Sequence, residues 1–227
     1  MYRIGRYEGF LDHRWRQVRR VGPFCVPRPP GYDCAIHNFG LWRSLVAHLA
    51  GGQGVVGSNP ASPTMTIRDI PLTTIDGDRT SLAEYSDRAV LIVNVASRCG
   101  LTPQYEKLED LQRTYRDRGF SVLGFPSNQF LQELSSETAI REYCATTWGV
   151  SFPMFERLRV NGHSQHPLYA ELTKVPDGEG KAGRVIWNFE KFLVSPSNEV
   201  YRFRPTTEPD APEVISAIES FLPQPSG

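Results

Sequence analysis

The residue best placed for chemistry in this chain of 227 residues is Cys99. It follows a nearly all-apolar, β-branched run from Ala89 to Val95, which predicts a strand buried on both faces. Thr102 and Pro103 then predict the first turn of a helix. A cysteine between a strand and a helix meets unpaired N–H groups and the positive end of the helix dipole, which favour its thiolate. Because the thiolate attacks peroxide oxygen, this position predicts redox chemistry, although placement alone leaves open an inert, buried cysteine.

Three further cysteines are present, Cys25, Cys34 and Cys144. Four cysteines in a chain without a recognisable secretory signal are more typical of thiols than of a disulfide framework. Cys25, Cys34 and His37 do not have the close cysteine pair of a zinc cluster. We therefore expect no bound metal and no cofactor.

The chain carries 25 basic and 25 acidic residues, and this balance predicts no nucleic-acid partner. Within this balance, two regions of the chain carry net charges of opposite sign. Eight arginines against three acidic residues give residues 1–64 a net charge of +5, which leaves −5 on residues 65–227. No apolar run approaches the roughly 20 residues of a membrane helix. We therefore expect a cytoplasmic protein without stable membrane insertion.

Residues 1–64 lack helical or strand periodicity, and we expect them to be an unstructured extension. Residues 57–60, Gly-Ser-Asn-Pro, can be encoded by ggt-tcg-aat-ccc, the T-loop sequence of transfer RNAs. Freely chosen codons over residues 39–64 also give complementary stems. Our hypothesis is that a transfer-RNA gene is translated here and that Met65 is the true start, which gene codons that break these stems would contradict. An authentic flexible extension is the alternative.

Residues 65–227 have the regular pattern of one folded domain. A strand over 70–75 leads into a turn at Asp76-Gly77, which predicts an N-terminal hairpin. The strand before Cys99, a helix and a strand over 120–125 follow, and this order implies a right-handed crossover with parallel neighbours. Later elements are a helix capped by Ser135 or Ser136, a hairpin turning at 195–198, and a helix from Pro212 to Phe221. The pattern predicts an α/β, thioredoxin-like fold with a central mixed sheet flanked by helices.

Three segments of this domain resemble segments of the glutathione peroxidase family, in the order and spacing that the family has. They are Asn94 to Pro103 around Cys99, Gly124 to Phe130, and Trp187 to Leu193. Shorter matches occur at 152–155, 160–162 and 166–169. The resemblance extends over residues 67–222, and the segments are specific when taken together.

The resemblance implies a catalytic tetrad of Cys99, Gln132, Trp187 and Asn188. The Cys99 thiolate would attack one peroxide oxygen while N–H donors of the other three side chains stabilise the developing negative charge. The segment around Gln132 is one residue shorter than the usual Phe-Gly-x-Gln-Glu-Pro of the family, so Gln129 is an alternative for this position. The implied reaction reduces hydrogen peroxide and organic or lipid hydroperoxides to water or alcohols, in a response to oxidative stress.

Cys144 occupies the position of the resolving cysteine in thioredoxin-dependent members of the family. Cys99 sulfenic acid would be trapped by Cys144 as a disulfide, which thioredoxin, or alternatively glutathione, would reduce. A disulfide requires α-carbons within about 7 Å, so the helix around Cys144 is predicted to unwind during turnover. An inert Cys144 that only packs in its helix is the alternative. The short connection from Leu172 to Val185 resembles that of monomeric relatives, and a monomer is expected.

Two other functions remain open at this point. A thiol redox sensor or relay would use the same residues and pass a disulfide from Cys99 to a client protein. A non-enzymatic binding or scaffold protein with this fold would lose no free thiol on exposure to peroxide. Hydrolase or metal chemistry is not expected at His163 and His166, which are more typical of a loop and a helix cap.

Overall fold

The computed structural model describes residues 66–222, in which the chain forms six strands and four α-helices. The strands are β1 (Pro71–Thr73), β2 (Arg79–Ser81), β3 (Ala89–Val95), β4 (Phe120–Pro126), β5 (Lys191–Val194) and β6 (Val200–Phe203). The helices are α1 (Gln104–Tyr115), α2 (Glu137–Trp148), α3 (Pro167–Leu172) and α4 (Pro212–Phe221). Short 3-10 helices occur at Ile67–Asp69, Leu82–Tyr85 and Arg116–Arg118.

The central sheet is mixed and has the strand order β4-β3-β5-β6. β3 and β4 are parallel, with α1 as the connection between them, whereas β5 pairs antiparallel with both β3 and β6. Every residue of β3 and β4 is buried, as the apolar run before Cys99 predicts. The carboxyl end of β3 therefore leads into the Cys99 loop, which lies at one end of the strands of the central sheet.

Alternate side chains of the strands contact two apolar clusters, which lie on opposite faces of the sheet. The first cluster contains Leu91 and Val93 of β3 together with side chains of α1, α2 and α4. The second contains Val90 and Ile92 of β3 together with side chains of α3 and the N-terminal hairpin. Helices on both faces of a mixed sheet confirm the predicted thioredoxin-like α/β fold.

Several local predictions are also confirmed. β1 and β2 form the antiparallel N-terminal hairpin, and Gly77 adopts a left-handed conformation with φ of 93° in its connection. The helix predicted between Cys99 and the strand over 120–125 is present, and its helical segment ends at Gly119, where φ is 86°. His166 caps α3, where its Nδ1 accepts a hydrogen bond from the Leu168 N–H at 3.2 Å. Ser136 is the cap of α2, since its hydroxyl accepts from the Ala139 N–H.

The predictions of an unstructured extension over residues 1–64, a translated transfer-RNA gene and a start at Met65 lie outside the described residues. Among the helices of residues 66–222, none is long and apolar enough to cross a membrane.

Candidate active site

Cys99 lies in a turn between β3 and α1, and only 7% of its surface is exposed. The Leu101 N–H points at its sulfur, with a nitrogen–sulfur distance of 3.4 Å. The Thr102 hydroxyl accepts from the Cys99 N–H at 3.0 Å and donates to the Cys99 carbonyl at 2.6 Å, which fixes the turn. α1 begins only at Gln104, so the N–H group facing the sulfur belongs to this turn and not to the first turn of α1.

Gln132 is joined to both the Cys99 loop and Asn188. Its backbone carbonyl accepts from the Arg98 N–H at 2.8 Å, and its side-chain Oε1 accepts from the Asn188 amide at 2.9 Å. Asn188 is fully buried. The structure therefore brings Gln132 and Asn188 together beside the residue that precedes Cys99.

Gln129, the alternative to Gln132, has a different environment. Its Nε2 donates to the Asn161 carbonyl at 2.9 Å, and its Oε1 accepts from the Asn161 N–H at 2.7 Å. Both ends of the Gln129 amide are therefore bound to the backbone of a neighbouring loop. This arrangement is typical of a structural residue.

Trp187 contacts the loop that carries Gln132 through an aromatic pair. Its ring lies over Phe130 with centroids 5.1 Å apart, and 40% of its surface is exposed. Leu131, between Phe130 and Gln132, has a left-handed φ of 57° and is 87% exposed. This is the shortened part of the sequence, where the family has a glycine, and the backbone retains the conformation that glycine favours.

Asn94 positions the segment with Trp187 and Asn188, although sequence reasoning did not single it out. Its Nδ2 donates to the Trp187 carbonyl at 3.0 Å, and its Oδ1 accepts from the Glu190 N–H at 3.2 Å. Its own carbonyl accepts from the Phe189 N–H at 2.6 Å. The signal in the sequence was an amide side chain within the otherwise apolar run of β3.

A buried ion pair also supports this segment and was missed from the sequence. The Arg202 Nε donates to Glu190 Oε1 at 2.6 Å, and both side chains are fully buried. Arg202 donates further to the carbonyls of Gly183 and Arg184, while Glu190 Oε2 accepts from the Ile186 N–H. The chain leading to Trp187 is thus fixed by one buried guanidinium and one buried carboxylate.

Cys144 lies in α2 and is 2% exposed, and both it and Cys99 are free thiols. Burial raises the pKa of the Cys144 thiol to about 11, because the interior disfavours its charged form and the nearby Tyr105 hydroxyl opposes this effect only in part. The structure therefore places Cys144 in the core as a protonated thiol.

Glu133 is a further buried group that sequence reasoning left without a role. Its Oε1 accepts from the Ser97 N–H at 3.1 Å and from the Leu134 N–H at 2.7 Å. Burial raises the pKa of this carboxyl above its ordinary range. In residues 66–222, no three His, Cys, Asp or Glu side chains come together as metal ligands.

Comparisons with known proteins identify relatives of this arrangement. A family model described as "Glutathione peroxidase" matches residues 67–173. The chain is 46% identical over 181 residues to "Thioredoxin/glutathione peroxidase BtuE" of Escherichia coli (strain K12), covering 69% of this chain and 99% of that protein. It is 41% identical over 169 residues to "Hydroperoxy fatty acid reductase gpx1" of Synechocystis sp. (strain ATCC 27184 / PCC 6803 / Kazusa), covering 71% and 99%.

Two solved structures also resemble this chain. "Crystal structure of Trgpx in apo form" matches with a TM-score of 0.57 and 34% identity, covering 72% of this chain and all of that one. "Crystal structure of T. cruzi GPX1" matches with a TM-score of 0.55 and 31% identity, covering 69% and 96%.

Proposed function

The chain belongs to the glutathione peroxidase family and is a thiol peroxidase, and we propose that Cys99 attacks the hydroperoxide, Cys144 resolves the product and thioredoxin restores both thiols. In the first step the Cys99 sulfur bonds to the terminal peroxide oxygen while the O–O bond breaks. The departing oxygen takes up a proton and leaves as water or an alcohol. Cys99 remains as a sulfenic acid.

N–H donors near Cys99 are proposed to stabilise the charge of this step. The Gln132 Oε1 accepts from the Asn188 amide, and no acceptor within residues 66–222 faces the Gln132 Nε2, so its two N–H groups are available as donors. The Trp187 indole N–H and the Asn188 amide complete the set. The observation that carries this proposal is the hydrogen-bonded chain from Arg98 through Gln132 to Asn188, which holds two of these side chains beside the Cys99 loop.

Resolution is proposed to form a disulfide between Cys99 and Cys144. The Cys144 sulfur attacks the Cys99 sulfur, the S–S bond forms, and the sulfenic oxygen leaves as water. Since Cys144 is buried within α2, this helix must open locally before the two α-carbons approach within about 7 Å. Thioredoxin then reduces the disulfide by exchange, and glutathione is the alternative reductant.

The proposed substrates include hydrogen peroxide and bulky organic or lipid hydroperoxides. Trp187 and Leu131, which flank the site, expose apolar surface of the kind that an acyl chain can cover. The name of the Synechocystis relative, a hydroperoxy fatty acid reductase, supports this choice. A monomeric state and a cytoplasmic location remain predictions from the sequence.

Peroxide consumption by the full chain tests the cycle, with thioredoxin, thioredoxin reductase and NADPH as the reducing system. Cys99→Ser is expected to abolish consumption. Cys144→Ser should form sulfenic acid once and lose continuous turnover with thioredoxin. Undiminished turnover of Cys144→Ser would exclude the two-cysteine cycle, and a stable mixed disulfide with a single client protein would favour a redox relay instead.

A further inference from the structure

Among the buried polar atoms of residues 66–222 that have no hydrogen-bond partner, three belong to segments near the two cysteines. They are Ser97 Oγ, Tyr105 Oη and Glu133 Oε2. An unpaired polar atom in a protein interior costs free energy, and native proteins contain few of them. Glu133 Oε2 is the one of the three that can act as a base, and its position beside the Cys99 loop favours a role in the chemistry between the cysteines.

Glu133 lies between the segments that carry the two cysteines. Its Oε1 is hydrogen-bonded to the N–H of Ser97, two residues before Cys99. Its own chain leads through Leu134 into α2, the helix of Cys144. Only 7% of the surface of Glu133 is exposed, and its unpaired Oε2 lies in the interior and not in solvent.

Among residues 66–222, the Glu133 carboxyl forms no salt bridge with any of its charged neighbours. Arg157 is the nearest cation that acts on it, but the Arg157 guanidinium is bound to Glu137. Burial raises the pKa of Cys144 in α2 and of Tyr105 in α1, and the Glu133 charge adds to both increases. Tyr143 is the other titratable group in this cluster.

Glu133 is bonded to the loop of Cys99 and precedes the helix of Cys144 in the chain, so it lies on the segment that joins the two cysteines. The disulfide requires Cys144 to move towards Cys99, and the loop of Cys99 is the segment to which Glu133 is bonded. A protonated thiol is a poor nucleophile, so the resolving step needs a base at this point. The unpaired Oε2 of Glu133 is a buried acceptor on this segment.

We propose that Glu133 is the general base of the resolving step. Its carboxylate takes the proton of the Cys144 thiol as the Cys144 sulfur attacks the Cys99 sulfur and the S–S bond forms. The S–O bond of the sulfenic acid breaks, and the leaving hydroxide recovers the proton from Glu133 as water. Cys144 is oxidised and the Cys99 sulfenic acid is reduced, so no further oxidant is required. This step rests on the proposed two-cysteine cycle.

The test is a single turnover of the reduced full chain with one equivalent of hydrogen peroxide, in the wild type and Glu133→Gln. Glutamine keeps an acceptor for the Ser97 N–H but cannot take a proton. Sulfenic acid is followed by dimedone trapping and the disulfide by thiol alkylation and mass spectrometry. We expect Glu133→Gln to accumulate sulfenic acid and to form the disulfide about 100-fold more slowly, the low end of the usual contribution of a general base.

The pH profile separates a base from a structural residue. Disulfide formation in Glu133→Gln should accelerate about tenfold per pH unit below the pKa that the Cys144 thiol has once α2 is open, because only the ionised thiol reacts. The wild-type rate should be flat once Glu133 is ionised. Glu142→Gln, which removes an exposed carboxyl from the same helix, should behave as the wild type.

Wild-type disulfide formation with a wild-type pH profile in Glu133→Gln would overturn the proposal. If Glu133→Gln does not fold, Glu133→Asp provides the test. A rate of disulfide formation that stays independent of pH, and that is about 10- to 100-fold lower because the carboxylate is displaced, supports the proposal. A profile in Glu133→Asp that rises with pH like that of an unassisted thiol would contradict it. Absence of sulfenic acid or of a disulfide in the wild type would instead refute the underlying cycle.

Discussion

The Asn188 side chain donates a hydrogen bond of 2.9 Å to the Oε1 of Gln132. In this arrangement the oxygen end of the Gln132 amide faces the N–H of Asn188. The N–H end of Gln132 is then free to donate elsewhere. Asn188 cannot move away easily, because it is fully buried and its neighbours Trp187 and Phe189 are bonded to Asn94.

The two glutamines of this loop are expected to differ sharply when each is replaced by alanine. Gln132→Ala should lower the rate constant of Cys99 oxidation by peroxide about 100-fold, the usual effect of losing one donor to a developing anion. Gln129→Ala should leave that rate constant unchanged and lower the free energy of unfolding by about 1–3 kcal/mol, because two backbone groups of Asn161 lose their partner. Stopped-flow oxidation and urea denaturation measure the two quantities. The reverse pattern would assign the site to Gln129.

Arg202 is expected to be critical for stability although it lies outside the proposed tetrad. Arg202→Met leaves the buried Glu190 carboxylate with fewer partners and several loop carbonyls without a donor. We expect a loss of about 3–5 kcal/mol in the free energy of unfolding, as for other broken buried pairs. Arg116→Met, which removes an exposed arginine, should change it by less than about 0.5 kcal/mol. Equal losses of unfolding free energy in the two variants, measured by urea denaturation, would show that the burial of the arginine does not determine the loss.

The sequence predicted those elements whose pattern is local. The buried β3 and the helix from Pro212 to Phe221 follow from apolar runs and proline position, and both are observed. Gln132 and Gln129 could not be distinguished, because their difference lies in contacts with Asn188 and Asn161, which are remote in the chain.

The burial of these charged side chains could not be predicted from the sequence either. A charged residue normally indicates exposure, and only the folded chain shows that Glu190 and Arg202 satisfy each other. Glu133 was likewise visible only as part of a family segment. Its carboxyl contacts the N–H of Ser97, which is 36 residues away in the chain, and such a contact is visible only in the folded protein.

Helix α2 is expected to lose its protection when the enzyme is oxidised. The disulfide cannot form while Cys144 remains in place within the helix, so the oxidised protein should exchange amide hydrogens faster over 137–148. Hydrogen exchange with mass spectrometry, before and after one equivalent of peroxide, measures this change. Helix α1 is the internal control, and Cys144→Ser should show no change in α2. Equal protection of α2 in both states of the wild type would contradict the opening.

The buried side chain of Lys191 is expected to make the free energy of unfolding depend on pH. Its amino group is buried and donates to the carbonyls of Pro205 and Thr207, at 3.1 and 2.5 Å. Burial lowers its pKa from 10.5 to about 7. Between these values the unfolded chain binds more protons than the folded protein. The free energy of unfolding therefore rises with pH across this window, and stability is lost as the pH falls towards 7.

We expect the wild type to gain about 1–2 kcal/mol of unfolding free energy between pH values of about 7 and 8.5, a range below the titration of most thiols and tyrosines. Lys191→Met should abolish most of this rise, whatever its effect on absolute stability, because methionine does not titrate. Lys174→Met, at an exposed position, should retain the rise. Urea denaturation at several pH values measures all three proteins. A wild type whose stability is constant or falls over this range would mean that Lys191 stays protonated in the folded protein, held by its two carbonyl partners.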